Sequence, residues 1–429
     1  MSLVTPSLAS IRTSLGVLVA INLINYIDRY ILSGVEPLIR AELLGPDDPN
    51  ARTKMGLLAP AFLITYMIAS PVFGWLGDRY RRWTIVGIGV LIWTLATGGS
   101  GLSTSFGMLL GMRVLVGIGE AAWGPIAPTL IADMYPVKKR GWVLSWFYIA
   151  IPVGSALGYI LGSAIAAKSS WHWAFFLAVP PGILLGILAF FRAEPVRGGS
   201  ESAAEQVGER PRPVALKAAL KSLSRNKPFV SNTVAMTAAT FAIGGMSFWM
   251  PTYIHEYRLK GGVDEAGKQQ LSQVNFLFGA ITVAAGIAGT LIGGYVADRL
   301  RGKIKGAYAA FSGVTILLSF PCLLGVLFLP FPAAWWFMGL TIFFMFMGTG
   351  PTNTITANVT RPEIRATAYA MNIFIIHALG DAISPLLIGW VTDATGSMTK
   401  AFALVAISIL IAGFVWIAGA KNLENARPQ

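Results

Sequence analysis

Apolar residues in this chain are grouped into long stretches that are separated by short polar segments. Each stretch has roughly 18 to 25 residues, enough for a helix to cross about 30 Å of hydrocarbon. The stretches are continuous, whereas the strands of a membrane barrel alternate apolar and polar residues. The pattern therefore predicts an all-α polytopic membrane protein with twelve transmembrane helices, at residues 14–34, 55–76, 83–102, 107–131, 141–165, 173–191, 229–251, 273–297, 307–328, 333–355, 366–390 and 400–419.

A polar segment at residues 192–227 divides these stretches into two sets of six. The segment has the composition of a flexible linker and ends in KAALKSLSRNK, which predicts a short surface helix. The two halves are related, because GWLGDRYRR after the second stretch matches GYVADRLRG after the eighth. The sequence predicts two pseudosymmetric six-helix bundles, an N-terminal one at 1–191 and a C-terminal one at 228–429, joined by a cytoplasmic linker at 192–227.

Charge sets the expected orientation in the membrane. The chain has 33 Lys and Arg against 20 Asp and Glu, and most basic residues fall in loops on the same side as both termini. Basic loops remain in the cytoplasm, so we expect both termini there and the protein in the plasma membrane or a bacterial inner membrane. Membrane topology and anionic lipids explain the net charge of +13, and no nucleic-acid partner is expected.

The sequence offers little for enzyme chemistry. Cys322 is the only cysteine, so no disulfide forms within the chain. The three histidines lack metal-ligand spacing, and no glycine-rich phosphate loop with its lysine is present. We therefore expect no enzymatic activity, no metal and no cofactor, with a proton gradient as the energy source.

Four charged residues lie inside predicted spans of the first half, where each costs several kcal/mol unless it is paired or faces water. They are Asp28 and Arg29 in the first span, and Arg113 and Glu120 in the fourth. A carboxyl group removed from water holds a proton more readily, so Asp28 and Glu120 are the candidate proton carriers. A guanidinium grips phosphate in a fork, so Arg29 and Arg113 are candidates for an anionic headgroup.

Helical geometry separates the neighbours Asp28 and Arg29 by about 100° around the helix. We expect Asp28 to pair with Arg113, and Glu120 to engage Arg29 when no substrate is bound. The alternative is a static network of ion pairs that only fixes helix packing. The polar stripe on the Arg29 face, expected to line a cavity, consists of Asn22, Asn25, Tyr26, Arg29 and Ser33.

The second half has no matching arginine in its spans and is mainly apolar and aromatic. His377 and Asp381 lie one helical turn apart, as a possible second protonatable pair or an ordinary hydrogen bond. Asn353 is a further candidate polar contact in the tenth span. Such unequal halves suit an anionic amphiphile better than a sugar.

The repeated Asp-Arg pair after the second and eighth spans predicts a cytoplasmic gate. A basic loop that only sets topology explains the arginines but not an aspartate in both copies. We expect one of the arginines at 79, 81 and 82 to pair with the acid that ends the fourth span. The predicted gate residues are Asp78, Arg79, Arg82, Asp133, Asp298 and Arg299.

These motifs resemble a known family of transporters. The pattern G-x-x-x-D-R-x-x-R and its second copy resemble the signature loop of the major facilitator superfamily, although Arg81 stands where that signature usually has a second glycine. Within the superfamily, NYIDRYILSGVEPLIRAEL and RVLVGIGEAAWGPIAPTLIADMYP resemble the spinster family. The resemblance implies the major facilitator fold, alternating access, proton coupling, a lysophospholipid-like or sphingoid-phosphate-like substrate, and a monomer.

Three alternatives remain open from the sequence. The same fold can carry small organic or sugar phosphates, or act as a multidrug efflux antiporter. A non-transporting receptor or scaffold is disfavoured, because a scaffold has no need of costly charges inside the membrane.

Overall fold

The computed structural model describes residues 8–136, 143–144, 146–196, 216–301, 303–361 and 364–423. These residues are predominantly helical, and their one β pairing is an isolated bridge between Arg301 and Ile304. The all-α prediction is confirmed. The middle of the predicted linker, residues 197–215, lies outside the described residues.

The described helices before the linker range from 6 to 36 residues in length. In chain order they are α1 (Leu8–Leu43), α2 (Ala51–Arg79), α3 (Arg82–Gly101), α4 (Phe106–Ala121), α5 (Ala127–Met134), α6 (Ala150–Lys168), α7 (Trp171–Phe176) and α8 (Val179–Phe190).

The predicted surface helix is present as α9 and is followed by the helices of the second half. Short π-helical segments at Tyr253–Arg258 and His377–Asp381 follow α10 and α15, respectively. The helices are α9 (Leu216–Arg225), α10 (Lys227–Thr252), α11 (Glu265–Leu300), α12 (Ala307–Phe328), α13 (Ala333–Met347), α14 (Thr349–Val359), α15 (Arg365–Ile376), α16 (Ile383–Thr395), α17 (Met398–Ala401) and α18 (Ala403–Leu423).

Eleven helical segments among the described residues are long and apolar enough to cross a membrane. The predicted fourth span, residues 107–131, is interrupted, because α4 ends at Ala121 and α5 begins at Ala127. Gly124 and Pro125 lie in the break. Glycine is a poor helix former, and proline lacks the N–H that a helix needs. The count of twelve uninterrupted spans therefore stays a prediction.

Contacts within the chain divide it into two compact units. The first comprises residues 1–51, 57–209 and 254–279, and the second comprises 52–56, 210–253 and 280–429. Within the first unit α1 packs along α6, and α3 packs against α4 and α8. Within the second unit α10 packs along α18, and α12 packs against α13 and α18.

Two glycines bring α6 close to α1. A Cβ on Gly154 would stand 2.7 Å from the Cβ of Tyr26, and a Cβ on Gly158 would stand 2.8 Å from the Cβ of Tyr30. Real side chains do not approach so closely, so only glycine lets the two backbones meet here. This packing sets the rotation of α1, the helix that carries Asp28 and Arg29.

We expect Gly158→Ala to lower the thermal unfolding temperature by several degrees, because the added methyl forces α1 and α6 apart at a cost of about 1–3 kcal/mol. The measurement is thermal unfolding of the purified protein in detergent. Gly111→Ala in α4 is the matched control, because a Cβ there meets nothing within 4 Å. Equal unfolding temperatures for the two variants would contradict the packing argument.

Candidate functional site

The predicted pairing of Arg29 with Glu120 is present in the first unit. Arg29 Nη2 donates to Glu120 Oε2, and the Glu120 side chain is 1% exposed. The pair leaves one polar atom of each side chain unsatisfied, because neither Glu120 Oε1 nor Arg29 Nε has a hydrogen-bond partner. A buried carboxylate held by one donor retains an oxygen that can accept a proton or another donor.

Asp28 faces a different neighbour from the one that we expected. Thr97 of α3 donates its hydroxyl to Asp28 Oδ2 at 2.8 Å, and Asp28 is completely buried. The predicted direct ion pair with Arg113 is not formed, since Oδ1 of Asp28 and Nε and Nη1 of Arg113 have no hydrogen-bond partner among the described residues. The two residues still interact electrostatically through space. The hydroxyl on α3 was missed because a threonine in an apolar helix carries no distinguishing pattern.

Arg113 is a buried cation with free hydrogen-bonding capacity. Its side chain is 2% exposed, and neither Nε nor Nη1 has a hydrogen-bond partner. An unpaired guanidinium in such surroundings is costly, so the group is positioned to receive an acceptor that the protein itself does not supply.

Phe62 of α2 lies against both arginines. The ring centroid is 4.6 Å from Cζ of Arg29 and 5.3 Å from Cζ of Arg113, and Tyr26 adds a second ring at 5.1 Å from Arg29. An aromatic face attracts a cation by about 0.5–2 kcal/mol, depending on how dry the site is. Phe62 was missed because a phenylalanine in an apolar span is ordinary.

Glycine in α4 lets α2 reach this position. At Gly117 a Cβ would collide with Phe62, Thr65 and Tyr66, so no side chain fits between the helices. Thr65 also donates to the carbonyl of Val114 at 3.2 Å. The fixed contact between α2 and α4 thus holds the Phe62 ring beside the charges.

The polar stripe on α1 is used partly for packing. Asn22 Nδ2 donates to the carbonyl of Phe147 at 2.8 Å, which ties α1 to the chain just before α6. Asn25 is 2% exposed and its Nδ2 has no hydrogen-bond partner. Of the predicted stripe, Asn25 and Arg29 therefore keep polar atoms available, whereas Asn22 is engaged.

The candidate residues of the second half form local bonds. His377 Nδ1 lies 2.9 Å from Asp381 Oδ2, so the predicted pair is present at the two ends of the π-helical segment. Asn353 is exposed and donates to the carbonyl of Thr349 on its own helix at 2.9 Å, while Tyr369 donates to the Asn353 carbonyl at 2.8 Å. These contacts all lie within the second unit and join neighbouring turns or adjacent helices.

The predicted pairing with Asp133 is made by Arg82. Its Nη1 lies 2.6 Å from Asp133 Oδ2, and its Nε lies 2.7 Å from Glu194 Oε1. Arg82 is 5% exposed, so one buried guanidinium connects the start of α3, the end of α5 and the chain after α8. Glu194 also accepts from the N–H of Trp83 at 3.3 Å, in the first turn of α3. We missed Glu194 because it lies in a stretch with linker composition.

The two copies of the Asp-Arg motif are alike in structure. Arg79 lies over Trp75 with its Cζ 4.0 Å from the ring centroid, and Arg299 lies over Tyr295 at 4.5 Å. In the second copy Asp298 accepts from the hydroxyl of Tyr308 at 2.8 Å. Asp78 occupies the corresponding position at the end of α2. The roles of these residues as a gate stay predictions.

Comparison with known proteins gives one consistent result. A family model described as Major Facilitator Superfamily matches residues 18–385. Protein spinster homolog 3 of Danio rerio is 34% identical over 95% of this chain and 82% of its own length. The sphingosine-1-phosphate transporter SPNS2 of the same species is 35% identical over 88% of this chain and 75% of its own.

A solved structure shares the fold. The crystal structure of a bacterial homolog to the human lysosomal transporter spinster, inward-facing and unoccupied, superposes with a TM-score of 0.81 at 20% identity. The match covers 99% of this chain and all of the other.

We expect Arg82→Met to lower the stability of the protein by about 3 kcal/mol, because it removes the buried guanidinium that bonds to both Asp133 and Glu194. Thermal unfolding in detergent measures the loss. Arg79→Met is the matched control, since an exposed arginine over a ring contributes about 1 kcal/mol or less. An Arg82 variant as stable as the Arg79 variant would show that the buried pairing is not a structural tie.

Proposed function

Because this chain belongs to the major facilitator superfamily and, within it, to the spinster family, we propose that it is a proton-coupled secondary transporter of an anionic amphiphile. The chain is an integral membrane transporter and not an enzyme. Proton coupling and the chemistry of the substrate are the proposed parts. They rest on the charged groups of α1 and α4.

One observation carries the proposal: two guanidinium groups and two carboxylates share a buried site, but only one direct ion pair forms. Arg29 holds Glu120, whereas Asp28 is held by a hydroxyl and Arg113 keeps unpaired N–H groups. With both acids ionised, the four groups have no net charge. A proton or an anion alone would give the site a net charge, whereas the two together would keep it neutral.

The proton and the anion are therefore coupled by electrostatics. When Glu120 binds a proton, its bond to Arg29 weakens, since a neutral carboxyl attracts a guanidinium far less than a carboxylate does. Arg29 then has N–H groups to offer, and Arg113 already has them. A phosphate group fits this need, because its oxygens accept several hydrogen bonds from guanidinium groups. Asp28 is the second proposed proton carrier.

An amphiphile suits the surroundings better than a compact polar solute. The arginines lie against the rings of Tyr26 and Phe62, and the chain as a whole is 55% hydrophobic. A lysophospholipid or a sphingoid phosphate carries the required anionic head on an apolar tail. The similar SPNS2 protein is named as a sphingosine-1-phosphate transporter, which supports this class.

The proposed cycle is alternating access by a monomer. The energy comes from the proton gradient, without a cofactor. The proposed location is the plasma membrane or a bacterial inner membrane, with both termini in the cytoplasm. The basic loops on the side of the termini support this orientation. Asp78, Arg79, Asp298 and Arg299 are the proposed cytoplasmic gate, with Arg82 and Asp133 as its support.

Reconstituted vesicles with an imposed pH gradient test the substrate class. We expect pH-driven flux of a phosphorylated single-chain lipid, with much slower flux of its dephosphorylated analogue and of a short-chain phosphate ester. Faster flux of the phosphate ester would favour a carrier of small phosphates. Preferred flux of uncharged or cationic drugs would favour a multidrug antiporter, and no flux of any compound would favour a receptor or scaffold.

Glu120→Gln tests the coupling. The variant cannot release a proton and cannot hold Arg29 as a carboxylate does, so we expect pH-driven lipid flux to fall at least tenfold while lipid binding to the purified protein persists. Flux and binding are measured on the same preparation. Glu265→Gln is the control, because that carboxylate is 77% exposed and pairs with Lys268 at the surface. Unchanged pH dependence in Glu120→Gln would refute the proton-carrier role.

A further inference from the structure

A second buried cluster of ionisable groups lies at the C-terminal end of α1. Arg40 Nε donates to Glu36 Oε1 at 2.9 Å, and Arg40 Nη2 donates to Glu256. Glu36 is completely buried. Glu256 belongs to the π-helical segment after α10, in the part of the chain that packs within the first unit. Glu36 is two turns beyond Asp28, about 12 Å farther along the helix.

His255, next to Glu256 in the chain, is completely buried beside this cluster. Its Nε2 lies 3.0 Å from the carbonyl oxygen of Gly262. A carbonyl only accepts, so Nε2 must carry the hydrogen and Nδ1 is a bare acceptor in the neutral ring. The tautomer of the histidine is thereby fixed by its backbone partner.

Nδ1 of His255 and Oε1 of Gln270 both lie beside Gly261, and in the neutral Nε2–H tautomer neither atom carries a hydrogen for the other. Two buried acceptors that face the same small space cannot satisfy each other. A proton on Nδ1 changes this, because the imidazolium then has a donor directed towards the amide oxygen. A proton on Nδ1 would therefore supply the hydrogen that is missing between Nδ1 of His255 and Oε1 of Gln270.

The charged groups around the ring come from three segments. Burial lowers the pKa of His255 and Arg40 lowers it further, whereas the bonds to Gly262 and Gln270 and the charge of Glu36 of α1 raise it. Glu256 is its neighbour within the π-helical segment. On α11, Lys268 is bonded to Glu265 at 2.8 Å, so that cation is engaged at the surface.

We propose that His255, with Gln270 as the acceptor and Glu36 as the counter-charge, is a second proton-binding site of this transporter. By the predicted topology it lies at the outer end of α1, whereas the site of Asp28 and Glu120 lies deeper. It responds to the pH of the outer side and does so whether or not a substrate is bound. The inference requires neither the proposed substrate nor coupling at Glu120.

Imidazole titration by NMR of the full-length protein with ¹⁵N-labelled histidine tests this site. The chain has only three histidines, so His172→Gln and His377→Gln assign the His255 signals. We expect His255 to pass from the Nε2–H tautomer to the imidazolium as the pH falls from 8 to 5. In Glu36→Gln the proton affinity of His255 should fall at least tenfold, because a negative charge has been removed. Glu265→Gln should leave it unchanged.

Gln270→Glu provides an independent arm if Glu36→Gln does not fold. A carboxylate against Nδ1 should raise the proton affinity of His255 at least tenfold. A ring that stays neutral down to pH 5 would overturn the proposal and would show that the Gln270 amide is turned over, with its N–H₂ group donating to Nδ1. The proposal would also be overturned if neither Glu36→Gln nor Gln270→Glu shifts the pH midpoint of the His255 titration. These outcomes are read from the ring itself, so they are distinct from a failure of transport.

Discussion

The bond between Arg29 and Glu120 is the interaction on which the site depends, because each of these two charges offsets the cost of placing the other inside a membrane. Once this pair is fixed, the other charges have little freedom. Asp28, one residue before Arg29, must point to another helix and meets Thr97. Arg113, two turns before Glu120, is brought against Phe62 and retains donors without acceptors. The Arg29–Glu120 bond stabilises the site, and the unpaired donors of Arg113 leave it able to bind an anion.

The interruption of the fourth predicted span also affects the surroundings of Glu120. Glu120 is the second-last residue of α4, and the carbonyl groups at a helix C-terminus carry partial negative charge. That partial charge favours a cation such as the Arg29 guanidinium, which is bonded to Glu120. The chain also leaves the helical path only a few residues after the acid, and non-helical backbone at membrane depth needs protein or a water-filled cavity around it. Here the protein itself supplies partners, because the carbonyls of Gly119 and Glu120 accept from the N–H groups of Ala122, Trp123 and Gly124.

Sequence reasoning predicted the parts that follow a period or a repeat. Eleven apolar spans, the α9 surface helix, the two Asp-Arg loops and the pair Arg29–Glu120 were readable from helical spacing, from matching depth or from the repeat. For Asp133 the sequence named three arginines, of which Arg82 makes the pair. It failed where one ordinary residue acts from another helix. Thr97 and Phe62 are unremarkable within apolar spans, and Glu194 lies in a stretch that composition assigned to a linker. Which helix face meets which neighbour is a property of three-dimensional packing, and no periodicity encodes it.

The glycine contacts between α1 and α6 have a consequence for how such a transporter diversifies. Residues that line a cavity can be exchanged one at a time to suit new cargo, because each change alters only a local surface. A side chain at Gly154 or Gly158 would instead displace the α1 backbone at Tyr26 or Tyr30 and move every group that α1 carries. Among relatives with different substrates, these two positions should therefore vary less than the residues that touch the substrate. The two glycines would then be more conserved among such relatives than the charged residues that bind the substrate.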